Sequence, residues 1–120
     1  MDRTGIGRRG EDAAVAYLER AGMRVVDRNW RDGRGELDIV ALDGDTLVIC
    51  EVKTRMTDGQ GTPEEAVSAA KRRRLVRLAA SYVSAQGLEP CQIRFDVIAL
   101  RVIADDRALL RHHRAAFEVE

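Results

Sequence analysis

Apolar and polar positions change their period several times along the chain, and this predicts a mixed α/β fold. Residues 8–21 carry apolar side chains at helical spacing, and Gly22 is placed to end this helix as a left-handed cap. Residues 23–30 are rich in Val, and the runs 36–42 and 46–54 have the apolar content of core strands. The first half of the chain therefore predicts a helix followed by a three-stranded meander.

The second half begins with a loop that ends in a helix start signal. Thr62 is placed as the N-cap, Pro63 lies in the first turn, and Glu65 follows three residues after the cap. Ser68 is a second candidate cap, so the helical region that stops at Gly87 is interpreted as one helix or as two pieces.

Two further runs suit strands, because residues 91–102 alternate in polarity and residues 109–117 do so more weakly. No internal repeat, low-complexity tract or linker interrupts the 120 residues, so we expect one domain over residues 1–120 with one modest core. The predicted order is helix, three strands, helix, strand and a weaker fifth strand.

Composition says more about the cellular compartment of the protein than about its function. The 20 basic and 20 acidic residues balance, so the net charge alone indicates neither a nucleic acid nor a membrane as partner. No stretch is apolar and long enough for a signal peptide or a membrane span, so we expect a cytoplasmic protein without a membrane partner. Cys50 and Cys91 lack metal-site spacing and are interpreted as small core residues without chemistry.

Charged residues interrupt the most apolar part of the sequence, GELDIVALDGDTLVICEVKTR. Glu36 and Asp38 share one face of the second strand, and Glu51 and Lys53 share one face of the third, because successive strand residues point to opposite sides. Whether these faces coincide depends on the hairpin turn between the two strands.

Three turns are compatible with the sequence. A two-residue loop at 43–44 puts Glu36 opposite Glu51, a loop at 44–45 puts Asp38 opposite Glu51, and a three-residue loop separates the charged faces. We favour the two-residue turns, and both place the four charged groups on one side. The carboxylates then lie within about 4.5 to 8 Å of each other, where they repel unless a cation lies between them. The pattern therefore indicates a metal site.

Residues from both helices extend this arrangement. Glu11 is the one acid on the apolar stripe of the first helix, and Lys71 is in register with the apolar face of the later helix, whereas residues 72–74 point outwards. Glu11, Asp38, Glu51, Lys53 and Lys71 are thus predicted to converge from separate elements.

These motifs carry a resemblance over nearly the whole chain. GRRGEDAAVAYLERAGMRVVDRNWR, GELDIVALDGDTLVICEVKTR, TPEEAVSAAKRRRLVRLAASYV and IRFDVIAL resemble the bacterial YraN-type family of uncharacterised proteins. That family is similar to PD-(D/E)xK nucleases, in particular to archaeal Holliday-junction resolvases. The resemblance implies a restriction-endonuclease-like αβββαβ core with a mixed central sheet flanked by helices. Asp38 and the Glu51-Val52-Lys53 tripeptide match the Asp and ExK motifs, whereas the proline of the superfamily name is absent.

The resemblance implies a role for each of these residues. Asp38 and Glu51 would bind Mg²⁺ or Mn²⁺, and Glu11 would be an additional ligand or a support. Lys53 would deprotonate the attacking water or stabilise charge on the phosphate. Glu36 is interpreted as a ligand or as a salt-bridge partner of Lys53, and Lys71 as a support of the site.

Several other residues suit either a structural or a functional role. The candidates for contact with nucleic-acid phosphates are Arg8, Arg9, Arg34, Arg55, Lys71, Arg72 and Arg73, with Arg28 and Arg31 nearby. Trp30 could stack on a base, although core packing is the more common role. Asp96 is expected to pair with an arginine, and His112 and His113 to lie on the surface or on an edge strand.

Two classes of function follow from these expectations. The first is a metal-dependent endonuclease that acts on branched or single-stranded DNA, or on RNA, in repair or recombination, with a homodimer implied by the resolvase resemblance. The second is a nucleic-acid-binding module, or an interaction subunit of a larger DNA-processing complex, without catalysis of its own.

Overall fold

Two helices and five strands make up the fold. The computed structural model describes residues 3–56, 67–89 and 91–117. Its elements in chain order are α1 (Arg3–Arg20), β1 (Arg24–Arg31), β2 (Glu36–Asp43), β3 (Thr46–Arg55), α2 (Ala69–Gln86), β4 (Ile93–Ala104) and β5 (Arg107–Phe117). The predicted order is confirmed, and the weak fifth strand is a full strand.

All five strands form one sheet in the order β1-β2-β3-β4-β5. Strands β3 and β4 are parallel because α2 crosses over between them, whereas all other neighbours are antiparallel. The sheet is therefore mixed, and each of its faces is covered by one helix, which is consistent with a restriction-endonuclease-like αβββαβ core. Strands β1 and β5 are its edges.

The helix ends agree with the capping signals that the structure describes. Ser68 accepts a hydrogen bond from the Lys71 amide at 3.1 Å and begins α2, and Gly87 ends it in the left-handed conformation. Gly22, with φ of 96°, ends α1 as predicted, although α1 begins five residues earlier than expected. The other predicted start signal, at residues 62–65, lies outside the described residues.

The β2–β3 hairpin resolves the alternatives left open by the sequence. Asp43 pairs with Thr46, so Gly44 and Asp45 form a two-residue turn. The same register runs on to the pair of Ile39 with Cys50. The next opposite positions are Asp38 and Glu51, as one of the two favoured turns requires.

Two apolar clusters fill the spaces between the sheet and the helices. Along β3, Leu47 and Ile49 join the cluster on the α2 side, whereas Val48 and Cys50 join the cluster on the α1 side. Because the alternation continues, Glu51 follows on the α2 side. Burial of this strand thus determines which helix the candidate site faces.

The two cysteines differ from each other. Cys50 is fully buried, as predicted, but Cys91 is exposed, so the interpretation of Cys91 as a core residue is wrong. It lies in the link between α2 and β4, outside the layers that bury apolar side chains.

A buried ionic cluster joins the second half of the sheet. Asp96 accepts hydrogen bonds from Arg94 at 2.9 Å and from the Ala115 amide at 3.0 Å, and its Oδ2 lies 2.7 Å from Nε2 of His112. Burial favours a raised pKa for Asp96, but these partners outweigh it and hold the pKa below the ordinary value. The predicted arginine partner is confirmed.

His112 and His113 lie on the edge strand β5, as one of the two interpretations required. The surface alternative is wrong for His112, because only 4% of its side chain is exposed and its Nδ1 lies 3.1 Å from the Tyr17 hydroxyl on α1. This contact adds α1 to the ionic cluster around Asp96.

Close packing of α1 on the sheet gives a testable consequence at Gly10. A Cβ at this position would meet Oγ1 of Thr54, and Leu100 Cδ1 at 3.3 Å. We expect Gly10→Ala to lower the free energy of unfolding by about 1–3 kcal/mol through overpacking. In a Thr54→Ala background the nearer obstacle is gone and only the flexible end of Leu100 has to shift slightly, so the better helix propensity of Ala should make the same change neutral or stabilising by up to about 1 kcal/mol. Urea unfolding of the four proteins measures this, and an equal cost in both backgrounds would contradict it.

Candidate active site

Two carboxylates from neighbouring strands meet on the α2 side of the sheet. Asp38 Oδ2 accepts a hydrogen bond from the Val52 amide at 2.9 Å, and Glu51 Oε2 accepts one from the Asp38 amide at 3.4 Å. The Glu51 side chain is only 4% exposed. Each carboxylate is therefore held by the backbone of the strand opposite its own.

Two lysines complete the cluster. Nζ of Lys71, in the first turn of α2, lies 3.3 Å from Oε1 of Glu51. Lys53 lies close enough to Lys71 for each lysine to shift the pKa of the other. The structure thus brings together four of the predicted site residues, Asp38, Glu51, Lys53 and Lys71.

The two acids resist ionisation in this setting. Burial, followed by the charge of Asp38, raises the pKa of Glu51 to about 7, although Lys71 opposes the shift. Burial also raises the pKa of Asp38 against the hydrogen bond from Val52, and the charges of Glu11 and Glu36 add to this effect. Burial is therefore the main reason why both acids resist ionisation, and neighbouring carboxylates add to it.

The two lysines are shifted in opposite directions. Burial and the neighbouring Lys71 lower the pKa of Lys53. Burial also disfavours the charged form of Lys71, but the hydrogen bond with Lys53 and the Glu51 carboxylate outweigh it and raise its pKa. Lys71 consequently stays cationic beside Glu51, whereas Lys53 loses its proton more readily than an ordinary lysine.

Glu11 lies near this cluster but has its own partners. Its Oε1 accepts a hydrogen bond from Asn29 at 3.0 Å and lies 3.9 Å from the Arg28 guanidinium. Its charge reaches Asp38, whose pKa it raises. Over residues 3–56, 67–89 and 91–117, no three or more His, Cys, Asp and Glu side chains come together as a metal-binding group, so Glu11 is not gathered with the carboxylate pair.

Asn29 is a partner of Glu11 that the sequence did not reveal. It has a positive φ of 52° within β1, and from there its side chain reaches Glu11. An Asn inside an otherwise alternating strand was the available signal, because Asn tolerates the left-handed region better than most residues. Its role here is to hold the Glu11 carboxylate, whose charge acts on Asp38.

Glu36 does not pair with Lys53, so that interpretation is wrong. Its carboxylate instead binds Nε of Arg31 at 2.7 Å, across the β1–β2 pair. The residues share the last register position of this pair, which places the Arg31 side chain beside the Glu36 carboxylate.

The predicted phosphate-binding arginines are in different settings. Arg8, Arg55 and Arg73 are exposed. Arg9 donates to the Asp105 carbonyl at 2.9 Å and lines a cavity of about 650 Å³ between α1 and the β4–β5 hairpin, on the other face of the sheet from α2. The structure therefore does not assemble the predicted set around one site.

Three further residues have contacts within the fold. Arg72 donates to the Val67 carbonyl at 2.9 Å and stacks over the Phe117 ring, and Arg28 pairs with Asp12 at 2.7 Å. Trp30 packs edge-on against Tyr82 at 5.3 Å, as its core interpretation predicted. These side chains contribute to packing and to ion pairs.

The fold and the site together define an α/β protein with paired acids and lysines on the inner face of a central hairpin. A family model described as uncharacterised protein family UPF0102 matches residues 10–100. The chain belongs to this family, as the YraN-type resemblance predicted.

Related sequences agree with this assignment along most of their length. A UPF0102 protein of Geobacter sulfurreducens is 46% identical over 95% of this chain and 89% of its own. A UPF0102 protein of Arthrobacter is 56% identical over 86% of this chain and 85% of its own. One of Syntrophotalea carbinolica is 48% identical over 98% of this chain and 95% of its own.

Among solved structures, SfsA of Pyrococcus furiosus in complex with Ca²⁺ is similar with a TM-score of 0.43 and 14% identity, over 94% of this chain and 65% of that chain. No helix in the described part of this chain is long and apolar enough to cross a membrane.

The raised pKa of Glu51 predicts a pH-dependent stability. The folded protein binds the proton of the Glu51 carboxyl more tightly than the unfolded chain does. The contribution of this proton to the free energy of unfolding is therefore complete below about pH 4.5, and it is lost as the pH rises to about 7. Glu51→Gln removes the titrating group. In metal-free buffer, the melting temperature of this variant relative to wild type should therefore rise by roughly 5 °C or more between pH 4 and pH 8.

The matched control is Glu89→Gln, at an exposed position after α2. Its melting temperature should follow that of the wild type at every pH. A difference between Glu51→Gln and wild type that stays constant across this range would contradict the assigned shift.

Proposed function

We propose that this protein is a metal-dependent endonuclease that hydrolyses phosphodiester bonds of branched or single-stranded DNA in repair or recombination. The observation that carries the proposal is the meeting of Asp38 and Glu51 on one face with Lys53 and Lys71. Buried like charges are costly, so their presence in the interior of a small protein calls for a function. Hydrolysis of a phosphodiester uses each of these groups.

The donor set suits Mg²⁺ or Mn²⁺. Both ions prefer oxygen ligands, and Mg²⁺ is commonly held by one or two carboxylates, with waters and substrate phosphate in the remaining positions. Burial and nearby negative charge, that of Asp38 on Glu51 and that of Glu11 and Glu36 on Asp38, raise the pKa of each acid, and a bound cation would relieve both costs. The Val52 carbonyl is a candidate third protein ligand, and Glu11 is kept as a more distant support.

The lysines fit distinct tasks in hydrolysis. When bound, the metal ion would activate water and stabilise charge on the phosphate. Lys53, with its lowered pKa, accepts the proton of the attacking water. The water oxygen forms a bond to phosphorus, the bond from phosphorus to the leaving sugar oxygen breaks, and that oxygen takes a proton from solvent water. Lys71 remains charged, orients Glu51 and offsets negative charge.

A second candidate is a nucleic-acid-binding module, or an interaction subunit of a DNA-processing complex. The ion pair of Lys71 with Glu51 favours it, since this contact partly neutralises the acids without a metal. RNA as an alternative substrate, and a homodimer that makes paired cuts, belong to the nuclease proposal. Cleavage and metal-binding experiments separate the two functions.

Cleavage is the first test. Wild-type protein with Mg²⁺ or Mn²⁺ should cut at least one of a labelled four-way junction, flap, single strand, duplex or RNA. Asp38→Asn, Glu51→Gln and Lys53→Gln should each lower the rate by about 100-fold or more, because each removes a group that acts in the transition state. Circular dichroism and melting curves confirm that the variants fold.

The control is Asp45→Asn, the same chemical change as Asp38→Asn but at the exposed hairpin turn. It should cut at the wild-type rate. Wild-type protein that binds these substrates but cuts none would favour the binding module, and full activity in Asp38→Asn would exclude this site.

Metal binding can be measured without catalysis. At pH 8, Mn²⁺ should raise the melting temperature of wild type and Asp45→Asn by several degrees, since a ligand that binds only the folded state stabilises it. Asp38→Asn and Glu51→Gln should show little or no shift. Equal shifts in Asp38→Asn and Asp45→Asn would place the ion elsewhere.

A further inference from the structure

A second concentration of charge lies along α2, apart from the carboxylate pair. A small cavity of about 170 Å³ opens between this helix and the loop that joins β1 to β2. Its lining residues are Asp32, Arg34, Arg74, Arg77, Leu78 and Ser81. Three guanidinium groups thus border one small cavity that has a single acid in its wall.

The three arginines at the cavity have no acidic partners in the described part of the chain. The ion pairs found there leave out Arg34, Arg74 and Arg77. Asp32 is occupied in its own loop, where its Oδ1 accepts the Arg34 amide at 3.0 Å. This differs from Arg28, Arg31 and Arg94, each of which binds a carboxylate. Three positive charges against the one negative charge of Asp32 leave the cavity net positive, which favours the entry of an anion.

The cavity is a built feature of the fold. Gly35 lies so close to α2 that a Cβ there would meet Cδ of Arg74 and Cδ1 of Leu78, both at 3.3 Å. The β1–β2 loop therefore packs directly against the helix at the point where Arg74 leaves it. On the helix, positions 74, 77 and 81 follow one flank at three- and four-residue spacing.

Size and chemistry select the class of anion. The cavity is smaller than the roughly 300–1,000 Å³ of pockets that enclose drug-sized ligands, so it suits a single anionic group of a larger molecule. Planar guanidinium groups match the oxygen geometry of phosphate with paired hydrogen bonds, and the Ser81 hydroxyl adds one donor. A phosphate group thus fits both the volume and the donors.

The position on α2 links this phosphate to the candidate active site. With a rise of about 1.5 Å per residue, Arg74 and Arg77 lie about 4.5 and 9 Å along the helix from Lys71, which contacts Glu51. Phosphates along one strand of duplex DNA advance by roughly 3.4 Å each. For a strand that runs along α2, the cavity is therefore about one to three nucleotides from a phosphate held at Asp38 and Glu51.

We infer that Arg34, Arg74, Arg77 and Ser81 form a phosphate pocket for the backbone of a nucleic-acid strand, one to three nucleotides from the bond that is cut. The inference rests on the proposed function for the position of the cut. The pocket positions the strand without reading its sequence, because phosphate contacts carry no base information. Together with the carboxylate pair, the pocket defines two points on the path of the strand over the protein.

The test is binding of a fluorescein-labelled single strand, measured by anisotropy over a salt series in buffer with EDTA. Arg74→Gln/Arg77→Gln should weaken binding roughly tenfold and reduce the slope of log affinity against log salt by about 0.7 for each phosphate that the variant no longer binds. Arg74→Lys/Arg77→Lys should restore most of the slope, because the charge returns. The matched control is Arg20→Gln/Arg24→Gln, two exposed arginines at the end of α1 and the start of β1.

A substrate with one uncharged methylphosphonate provides the complementary test. In a flap or four-way junction, whose branch point fixes the register, this group is moved along one strand. It should weaken wild-type binding at one pocket position and cost nothing further in Arg74→Gln/Arg77→Gln. With Mg²⁺ or Mn²⁺ present, that position should lie one to three nucleotides from the cut.

The outcomes separate the pocket from the proposed function. Loss of affinity at one phosphate without any cleavage would support the pocket and overturn the endonuclease. Cleavage by wild type, with equal affinity and slope in the pocket variant and the Arg20→Gln/Arg24→Gln control, would overturn the pocket alone. If the protein binds no strand at all, the pocket is overturned as well. A rise in melting temperature with inorganic phosphate would not rescue it, because the proposed ligand is the phosphate of a nucleic-acid backbone.

Discussion

The register of the β2–β3 hairpin is the constraint on which the candidate site depends. The Gly44–Asp45 turn sets Asp38 opposite Glu51, and the alternation of β3 turns both toward α2. A slip of one residue would exchange the faces of a whole strand, so that one carboxylate would enter the apolar cluster beneath α1. The turn and the apolar alternation thus specify the fold and the chemistry together.

The site is held in a state that costs stability. Glu51 is buried and Asp38 is half-buried beside it, and backbone amides and Lys71 offset only part of the cost of holding their charges there. Apolar residues of similar volume would often be as stable or more so, and natural proteins tend to accept such a cost where a function needs it. The lowered pKa of Lys53 has a similar origin, because its partial burial and the neighbouring Lys71 both disfavour its positive charge.

Asp96, in the same sheet, shows how hydrogen-bond and ionic partners can keep a buried acid charged. Asp96 is as buried as Glu51, yet Arg94, His112 and the Ala115 amide hold its pKa below the ordinary value. That cluster joins two strands and a helix and leaves no excess charge on the acid. The contrast distinguishes a structural ionic cluster from the carboxylate pair, whose partners do not outweigh the effect of burial.

The amino-acid sequence determined the element order, the faces of the strands and the composition of the carboxylate site, because these depend on local periodicity, turn residues and capping. Only the tertiary structure decided between the hairpin turns and gave Glu36 its partner Arg31. It also exposed Cys91 and placed Arg9 on the other face of the sheet from the predicted phosphate-binding residues of α2. The cavity beside Arg74 and Arg77 was equally hidden, since it forms where a loop meets a distant helix. Such contacts depend on how side chains from remote segments pack, and the periodicity within one segment carries no information about which remote segment it meets.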